Sequence, residues 1–129
     1  MKTKLFFIIL LCVAIFHCSK DSSSPTQPQS QNHTPQIINI SANPPILTVS
    51  YDVATSVIKV IAVDQDGDSL TYTWTSPQGS FWDRSYYSFS KNEQGYYLRK
   101  DDPNGEYVIT CWVSDGKSAV SDTVIVIKR

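Results

Sequence analysis

The stretch Asp64-Gln65-Asp66-Gly67-Asp68-Ser69-Leu70-Thr71-Tyr72-Thr73-Trp74 places a tight acidic turn directly before an alternating strand that ends in tryptophan. Residues 56–64, just before the turn, are rich in β-branched side chains, so the pattern predicts two strands joined by a hairpin-like turn. Because side chains alternate along a strand, Leu70, Tyr72 and Trp74 share one face while three threonines share the other. We therefore predict that Trp74 points into a core.

One lysine sets the inward face of the strand that precedes the turn. With Lys59 facing solvent, alternation predicts that Ile58, Val60 and Ala62 point into the core. The same alternation leaves three apolar side chains on the outer face beside the lysine: Val57, Ile61 and Val63. We expect a neighbouring strand or molecule to cover part of this outer face.

The carboxylates of the turn have two interpretations. Asp64, Asp66 and Asp68, joined by Asp115 from a later loop, offer the oxygen ligands that Ca²⁺ binds. An EF-hand is excluded, because its invariant glycine and bidentate glutamate have no counterparts at the required positions. In the alternative interpretation Asp64 and Asp68 accept hydrogen bonds from turn amides while Gly67 adopts a positive φ. Turn chemistry of this kind accounts for each residue without an ion.

The N-terminal segment is typical of an export signal. Met1-Lys2-Thr3-Lys4 is basic and precedes an apolar run over residues 5–16. Such a run is too short to span a bilayer and has the length of a signal-peptide core. We therefore expect the protein to leave the cytoplasm.

The apolar run ends in Ile15-Phe16-His17-Cys18 and is followed by Ser19-Lys20-Asp21. This segment resembles the leader of bacterial lipoproteins. The resemblance implies that residues 1–17 are removed, that Cys18 is acylated by fatty acids such as palmitate, and that the acyl chains hold the protein in a membrane. It also implies a location in the bacterial cell envelope, at the outer membrane and exposed at the surface. An ordinary signal peptide that releases a soluble protein is the alternative.

The rest of the chain divides into a tether and one domain. Residues 18–35 are mostly Ser, Pro, Gln, Thr and Asn, so they cannot bury enough apolar surface to fold and are predicted to be a flexible linker. Residues 36–129 make up a single domain's length. The net charge is −1, and it becomes about −3 without Lys2 and Lys4, so no basic surface for nucleic acid is expected.

Further strands are predicted along the domain. Residues 36–41 and 46–50 form a split edge strand around Asn43-Pro44-Pro45, since proline suits an edge. Residues 80–100 are rich in rings, with two short strands near 86–90 and 95–99. One tyrosine of Tyr86/Tyr87 and one of Tyr96/Tyr97 should face outward there. Strands over residues 107–114 and 119–128 complete the pattern.

The segments 62–74 and Gly105-Glu106-Tyr107-Val108-Ile109-Thr110-Cys111-Trp112-Val113-Ser114-Asp115-Gly116 together resemble PKD-type and related bacterial immunoglobulin-like domains. The resemblance implies an all-β, immunoglobulin-like Greek-key β-sandwich of about seven strands. It also implies a tyrosine corner, in which the Tyr107 hydroxyl bonds to nearby backbone. Domains of this kind serve as spacers or bind sugars or proteins.

No catalytic centre can be assembled from the residues present. Both histidines, His17 and His33, lie outside the domain, so neither a Ser-His-Asp nor a Cys-His arrangement can form. Cys111 is the one cysteine left in the domain, and strand parity predicts a buried, inert thiol. We therefore predict that the protein is not an enzyme and, apart from the calcium interpretation, has no cofactor.

Aromatic side chains provide the candidate binding surface. Rings offer flat apolar area with a polar handle, which suits stacking against sugars or anchoring a protein partner, although each ring could instead fill the core. The candidates are Trp82, Tyr86, Tyr97 and Trp112. The sequence thus predicts a non-catalytic, membrane-anchored binding module for carbohydrate or an envelope protein.

The alternative function is a structural component of a cell-envelope complex that docks through an exposed apolar sheet face. Val57, Ile61, Val63 and Trp112 in one patch would support it, whereas a scattered arrangement would favour the binding module. A small enzyme ranks third and would require a cleft that contains two carboxylates.

Overall fold

The computed structural model describes residues 31–84, 87 and 89–129, and one compact unit, Gln31–Arg129, contains all of them. The leader, Cys18 and Tyr86 lie outside the described residues. Within the described part of the chain no helix is long and apolar enough to cross a membrane.

Within the described residues, eight strands form two four-stranded sheets, which confirms the predicted all-β sandwich. Sheet A has the order β1-β3-β6-β5 and sheet B the order β2-β8-β7-β4. Neighbouring strands are antiparallel except β2 and β8, which are parallel. The strands are β1 (Gln36–Asn43), β2 (Ile46–Leu47), β3 (Val53–Val63), β4 (Thr71–Thr75), β5 (Ser80–Phe81), β6 (Glu93–Arg99), β7 (Gly105–Ser114) and β8 (Ala119–Lys128).

The prediction that β3 and β4 form a hairpin was wrong. β3 pairs with β1 and β6 in sheet A, whereas β4 pairs with β7 in sheet B, so the acidic turn carries the chain from one sheet to the other. The connection over residues 64–70 is longer than the two-residue loops that favour tight hairpins. β3 and β4 each have an apolar face. The two faces point towards each other across the sandwich and are buried in a single core.

The inward faces agree with the predicted alternation. Ile58 and Val60 are fully buried, and Lys59 between them is exposed. Trp74 is half-buried and packs against both buried clusters of the core, one around Ile58 and the other around Val60. The tryptophan strand therefore contributes to the core as predicted.

Three further predictions about the second half of the domain are confirmed. Tyr96 is fully buried in β6, while its neighbour Tyr97 is only half-buried and lies on the outer face. The Tyr107 hydroxyl donates to the carbonyl oxygen of Pro103, which is the tyrosine corner. Cys111 is fully buried, and burial raises the pKa of its thiol to about 12.

The edges and the ring-rich segment differ in detail from the prediction. The split edge strand is β1 and β2, which lie in different sheets, so the Pro44-Pro45 segment switches the chain between them. β6 contains the predicted strand over residues 95–99. Near residues 86–90, however, the described residues Tyr87, Phe89 and Ser90 are not in a strand.

Candidate functional site

Four aromatic side chains gather on the outer face of sheet A, and we call them the ring cluster: Trp82, Tyr87, Phe89 and Tyr97. The Trp82 ring centroid lies 4.5 Å from that of Tyr97 and 4.7 Å from that of Tyr87. Tyr87 in turn lies 6.4 Å from Phe89. The rings are tilted against one another at separations typical of favourable aromatic pairs.

Backbone and side-chain hydrogen bonds fix Trp82 across the sheet. Its backbone N–H donates to the carbonyl oxygen of Gly95 in β6 at 2.9 Å. Its indole Nε1–H donates to Oγ1 of Thr55 in β3 at 3.2 Å. The indole ring therefore lies over Gly95 of β6 and reaches the neighbouring strand β3.

Gly95 makes this arrangement possible because it has no side chain. A Cβ at this position would lie 2.5 Å from Cζ of Phe89 and 2.5 Å from Cδ1 of Trp82. Gly95 is buried although its position faces outward, since the two rings cover it. A strand glycine often marks such a close approach.

The loop that carries the rings is held by one arginine. Nη2 of Arg84 donates to the carbonyl oxygens of Phe89 and Ser90 at 3.2 and 2.8 Å. Nη1 donates to the carbonyl oxygen of Glu93 at 3.1 Å. A guanidinium can make several such bonds at once because its donors lie in a planar fork.

Charged groups border the ring cluster. The Arg99 guanidinium carbon lies 5.9 Å from the centroid of the Tyr97 ring, within cation–π range. A hydrogen bond from the Ser80 side chain and then one from Arg99 lower the pKa of Tyr97. Lys59 pairs with Glu93 at 2.9 Å on the same face. The cluster thus combines apolar ring area with polar groups at its border.

The structure brings together only part of the predicted ring set. Trp82 and Tyr97 belong to the cluster, whereas Trp112 lies on the outer face of sheet B, on the other side of the sandwich. Tyr86 lies outside the described residues. Tyr87 and Phe89 belong to the ring-rich segment from which the sequence singled out other rings, and Arg99 was not singled out. The glycine at an outward position of β6 was an available signal for their contacts.

The acidic turn has part of the geometry that the turn interpretation predicts: Asp64 accepts turn amides, whereas the Asp68 carboxylate instead contacts Lys117. Oδ1 of Asp64 accepts hydrogen bonds from the backbone N–H groups of Asp66 and Asp68 at 2.9 and 3.0 Å. Gly67 has φ of 76°, the positive value predicted from sequence. A carboxylate oxygen from each of the three aspartates also lies within 4.8 Å of the others, so the structure does bring these predicted calcium ligands together.

Two of these carboxylates already contact cationic or donor groups. The backbone N–H of His33 donates to Oδ2 of Asp66 at 2.7 Å, and Nδ1 of His33 lies 2.7 Å from Oδ1. These contacts, the backbone hydrogen bond first, lower the pKa of Asp66. Nζ of Lys117 lies 2.8 Å from Asp68. An ion would have to compete with both groups, and calcium binding stays a prediction.

Asp115, the fourth predicted ligand, is not part of this group. Its carboxylate accepts the backbone N–H groups of Ser118 and Lys117 at 2.6 and 2.7 Å and the Asn32 side chain at 2.9 Å. The hydrogen bonds from Ser118 and Asn32 hold its pKa well below the usual carboxyl range. Asn32 and His33, which the sequence assigns to the linker, therefore contact the two loops at this end of the sandwich.

A cavity of about 350 Å³ lies between the edge of β4 and the ring-bearing loop. The residues around it are Leu70, Thr71, Tyr72, Arg84 and Lys91. None of them is a carboxylate, so this cavity does not provide the pair of acids that the small-enzyme hypothesis requires.

Comparison with known proteins gave one family and two solved structures. The family model described as bacterial Ig domain matches residues 32–128. The human protocadherin-24 EC1-2 structure aligns with a TM-score of 0.50 at 23% identity, covering 77% of this chain and 44% of that chain. The ZirS C-terminal domain aligns with a TM-score of 0.45 at 12% identity, covering 100% of this chain and 87% of that chain. No curated protein matches the sequence.

Proposed function

The chain belongs to the bacterial Ig domain family, and we propose that it is a non-catalytic module that binds a carbohydrate or protein through the ring cluster of sheet A. A domain of this family is a general binding or structural module. The observation that supports the finer proposal is the contact of Trp82 with Tyr97 and Tyr87 on an outer sheet face, away from the core.

The composition of the cluster suits ligand recognition. Tyr87 exposes 45% of its surface, and Trp82 and Tyr97 are half-buried, so each ring is both supported and accessible. Rings held in this way lose little conformational entropy when a ligand stacks on them. Arg99 and the Lys59–Glu93 pair lie close enough to donate or accept hydrogen bonds at the border.

The arrangement of exposed apolar residues also favours a binding module over the predicted assembly patch. Val57, Ile61 and Val63 lie on β3 in sheet A, whereas Trp112 lies on β7 in sheet B. The four residues therefore do not form one patch. This is the scattered arrangement that distinguishes the two hypotheses.

The proposal includes a membrane anchor at Cys18 in the bacterial cell envelope, supported by the leader sequence. Mass spectrometry of the mature N-terminus tests it. We expect acylated Cys18 as the first residue. An unmodified Cys18, or cleavage at another position, would rule out the anchor but would leave the ring-cluster proposal intact.

The binding test uses a glycan array and an envelope-protein pull-down with two matched variants. Trp82→Ala removes the central ring of the cluster, and Trp112→Ala removes an exposed tryptophan on the opposite face. We expect the first variant to lose at least about tenfold in affinity and the second to bind as the parent does. Equal binding by the parent and Trp82→Ala would exclude the ring cluster as the site.

A further inference from the structure

The outer face of sheet B differs from the rest of the surface in having almost no charge. Strand register divides it into five rows, of which three run across β4, β7 and β8 and two across β7 and β8 alone. Four rows contain only hydroxyl, alanine or apolar side chains, and the fifth row pairs Glu106 with Ile127. The hydroxyl side chains include Thr73, Thr75, Thr110, Ser121 and Thr123. Depletion of charge is a feature of interface cores.

Apolar side chains lie on both sides of a central threonine row. The central row is Thr75–Thr110–Thr123. One row away, Val108 pairs with Ile125, and these side chains are 41% and 45% exposed. One row away on the other side is Trp112, which is 48% exposed. Val108 and Trp112 are four residues apart on β7, or about 14 Å.

We infer that this face binds the same face of a second copy of the chain. A half-turn about an axis along the central row places Trp112 of each copy opposite Val108 of the other and next to its neighbour Ile125, and it places Thr110 opposite Thr110. Two-fold interfaces are self-complementary in this way. Glu106 of each copy falls opposite the uncharged row of Ser114 in the other, so the contact brings no like charges together.

The dimensions of the face favour this occupant over a sugar. A saccharide stacked on Trp112 would leave Val108 and Ile125 exposed, since they lie beyond the threonine row. A second sheet with apolar side chains at the same spacing would cover both the Trp112 row and the Val108–Ile125 row. Two sheets can pack face to face in this way, about 10 Å apart. The β7 segment from Glu106 to Ser114 is about 27 Å long, and three strands are about 14 Å wide.

Because β4 lies beside only the half of this β7 segment that pairs with Thr71–Thr75, the projected area is about 300 Å² per copy, well below the roughly 800 Å² of a standard stable interface. We expect a weak, reversible dimer. This inference does not depend on the ring cluster, which lies on the opposite face of the sandwich.

Sedimentation equilibrium of the chain from Ser19 onward tests the inference, since this chain retains every described residue. Between about 10 μM and about 1 mM, a range suited to weak association, the average mass of the parent should rise towards that of a dimer. Trp112→Lys and Val108→Glu should each weaken association at least about tenfold. An equimolar mixture of the two variants should associate again, because one Lys–Glu contact forms while the second Trp112–Val108 contact is retained.

Ile61→Lys is the matched control, since Ile61 is 46% exposed on the outer face of sheet A. It should associate as the parent does, and thermal unfolding should show that all variants remain folded. A parent that stays monomeric, a mixture that stays monomeric, or equal loss in the control would each overturn the inference. Parent-like association of Trp112→Lys together with lost retention on a neutral polysaccharide would also overturn it and would identify the face as a sugar site.

Discussion

The outer faces of the two sheets are built by the same strand alternation and yet have different surfaces. On sheet A the chain's own loop folds back, so that Trp82 and Phe89 cover Gly95 and Lys59 pairs with Glu93. On sheet B no described loop covers the face, and threonines surround a single tryptophan. The difference shows that one glycine in a strand, Gly95, gives aromatic rings the space to pack against an outer sheet face.

The two tryptophans show the same difference at the level of single residues. Trp82 contacts two other rings and donates a hydrogen bond to Thr55. Trp112 pairs across strands with Thr73 and Ser121 and leaves 48% of its surface exposed. Both Trp82 and Trp112 point away from the core, but of the two only Trp82 is fixed by ring contacts and a hydrogen bond.

The largest expected effect is at Gly95. Gly95→Ala places a methyl group 2.5 Å from both Trp82 and Phe89, so both rings must move away from β6. We expect a loss of about 2–3 kcal/mol in the free energy of unfolding, as for other overpacked sites, and a red shift in tryptophan fluorescence. Urea unfolding measures the first effect. Ser121→Ala on sheet B is the control, and a Gly95→Ala variant as stable as the parent would contradict the covered face.

The next test compares the two tryptophans directly. Trp82→Ala removes one ring of the cluster and should cost about 1–2 kcal/mol in the free energy of unfolding, because the side chain is only half-buried. Trp112→Ala should change it by less than about 0.5 kcal/mol, as exposed substitutions do. The values come from urea unfolding at low protein concentration, where self-association is negligible. Similar losses in both variants would remove the distinction between the faces.

A smaller effect is expected at Asp115, whose loop belongs to neither face. Hydrogen bonds hold its pKa below the ordinary carboxyl value in the folded state. Its stabilising contribution is therefore present above about pH 4, the unfolded carboxyl pKa, and is lost as the pH falls further. We expect Asp115→Asn to unfold more easily at pH 7 and to lose less stability on acidification than the parent. A parent and variant with parallel pH profiles would contradict this role.

The smallest expected effect is that of calcium. His33 and Lys117 already contact Asp66 and Asp68, so we expect the thermal midpoint to change by less than about 1 °C between excess Ca²⁺ and a chelator. Calcium should change neither the ring cluster on sheet A nor the outer face of sheet B, so this measurement is a control for the tests of the two faces. A calcium-dependent rise of several degrees that Asp68→Asn abolishes would instead support the ion-binding interpretation of the turn.

Much of the sandwich could be predicted because its strands follow a period of two. Lys59 was sufficient to set the inward face of β3, and Gly67 was sufficient to indicate a positive φ in the turn. The pairing of β3 with β4 was predicted wrongly, because alternation fixes which face is buried but not which strand lies alongside. Asn32 and His33 gave no signal of their contacts, since polar linker residues look alike whether or not they bind a domain.

The sequence by itself determined the inward position of Trp74 and the buried thiol of Cys111, because each depends on strand alternation. The two-sheet architecture and the tyrosine corner at Tyr107 followed from the resemblance of two segments to bacterial immunoglobulin-like domains. Only the tertiary structure decided which outward rings meet. Trp82 and Tyr97 come together because the loop after β5 returns over β6, while Trp112 is placed in the other sheet by its pairing with β4 and β8. Contacts between residues distant in the chain depend on strand order, which strand alternation does not encode.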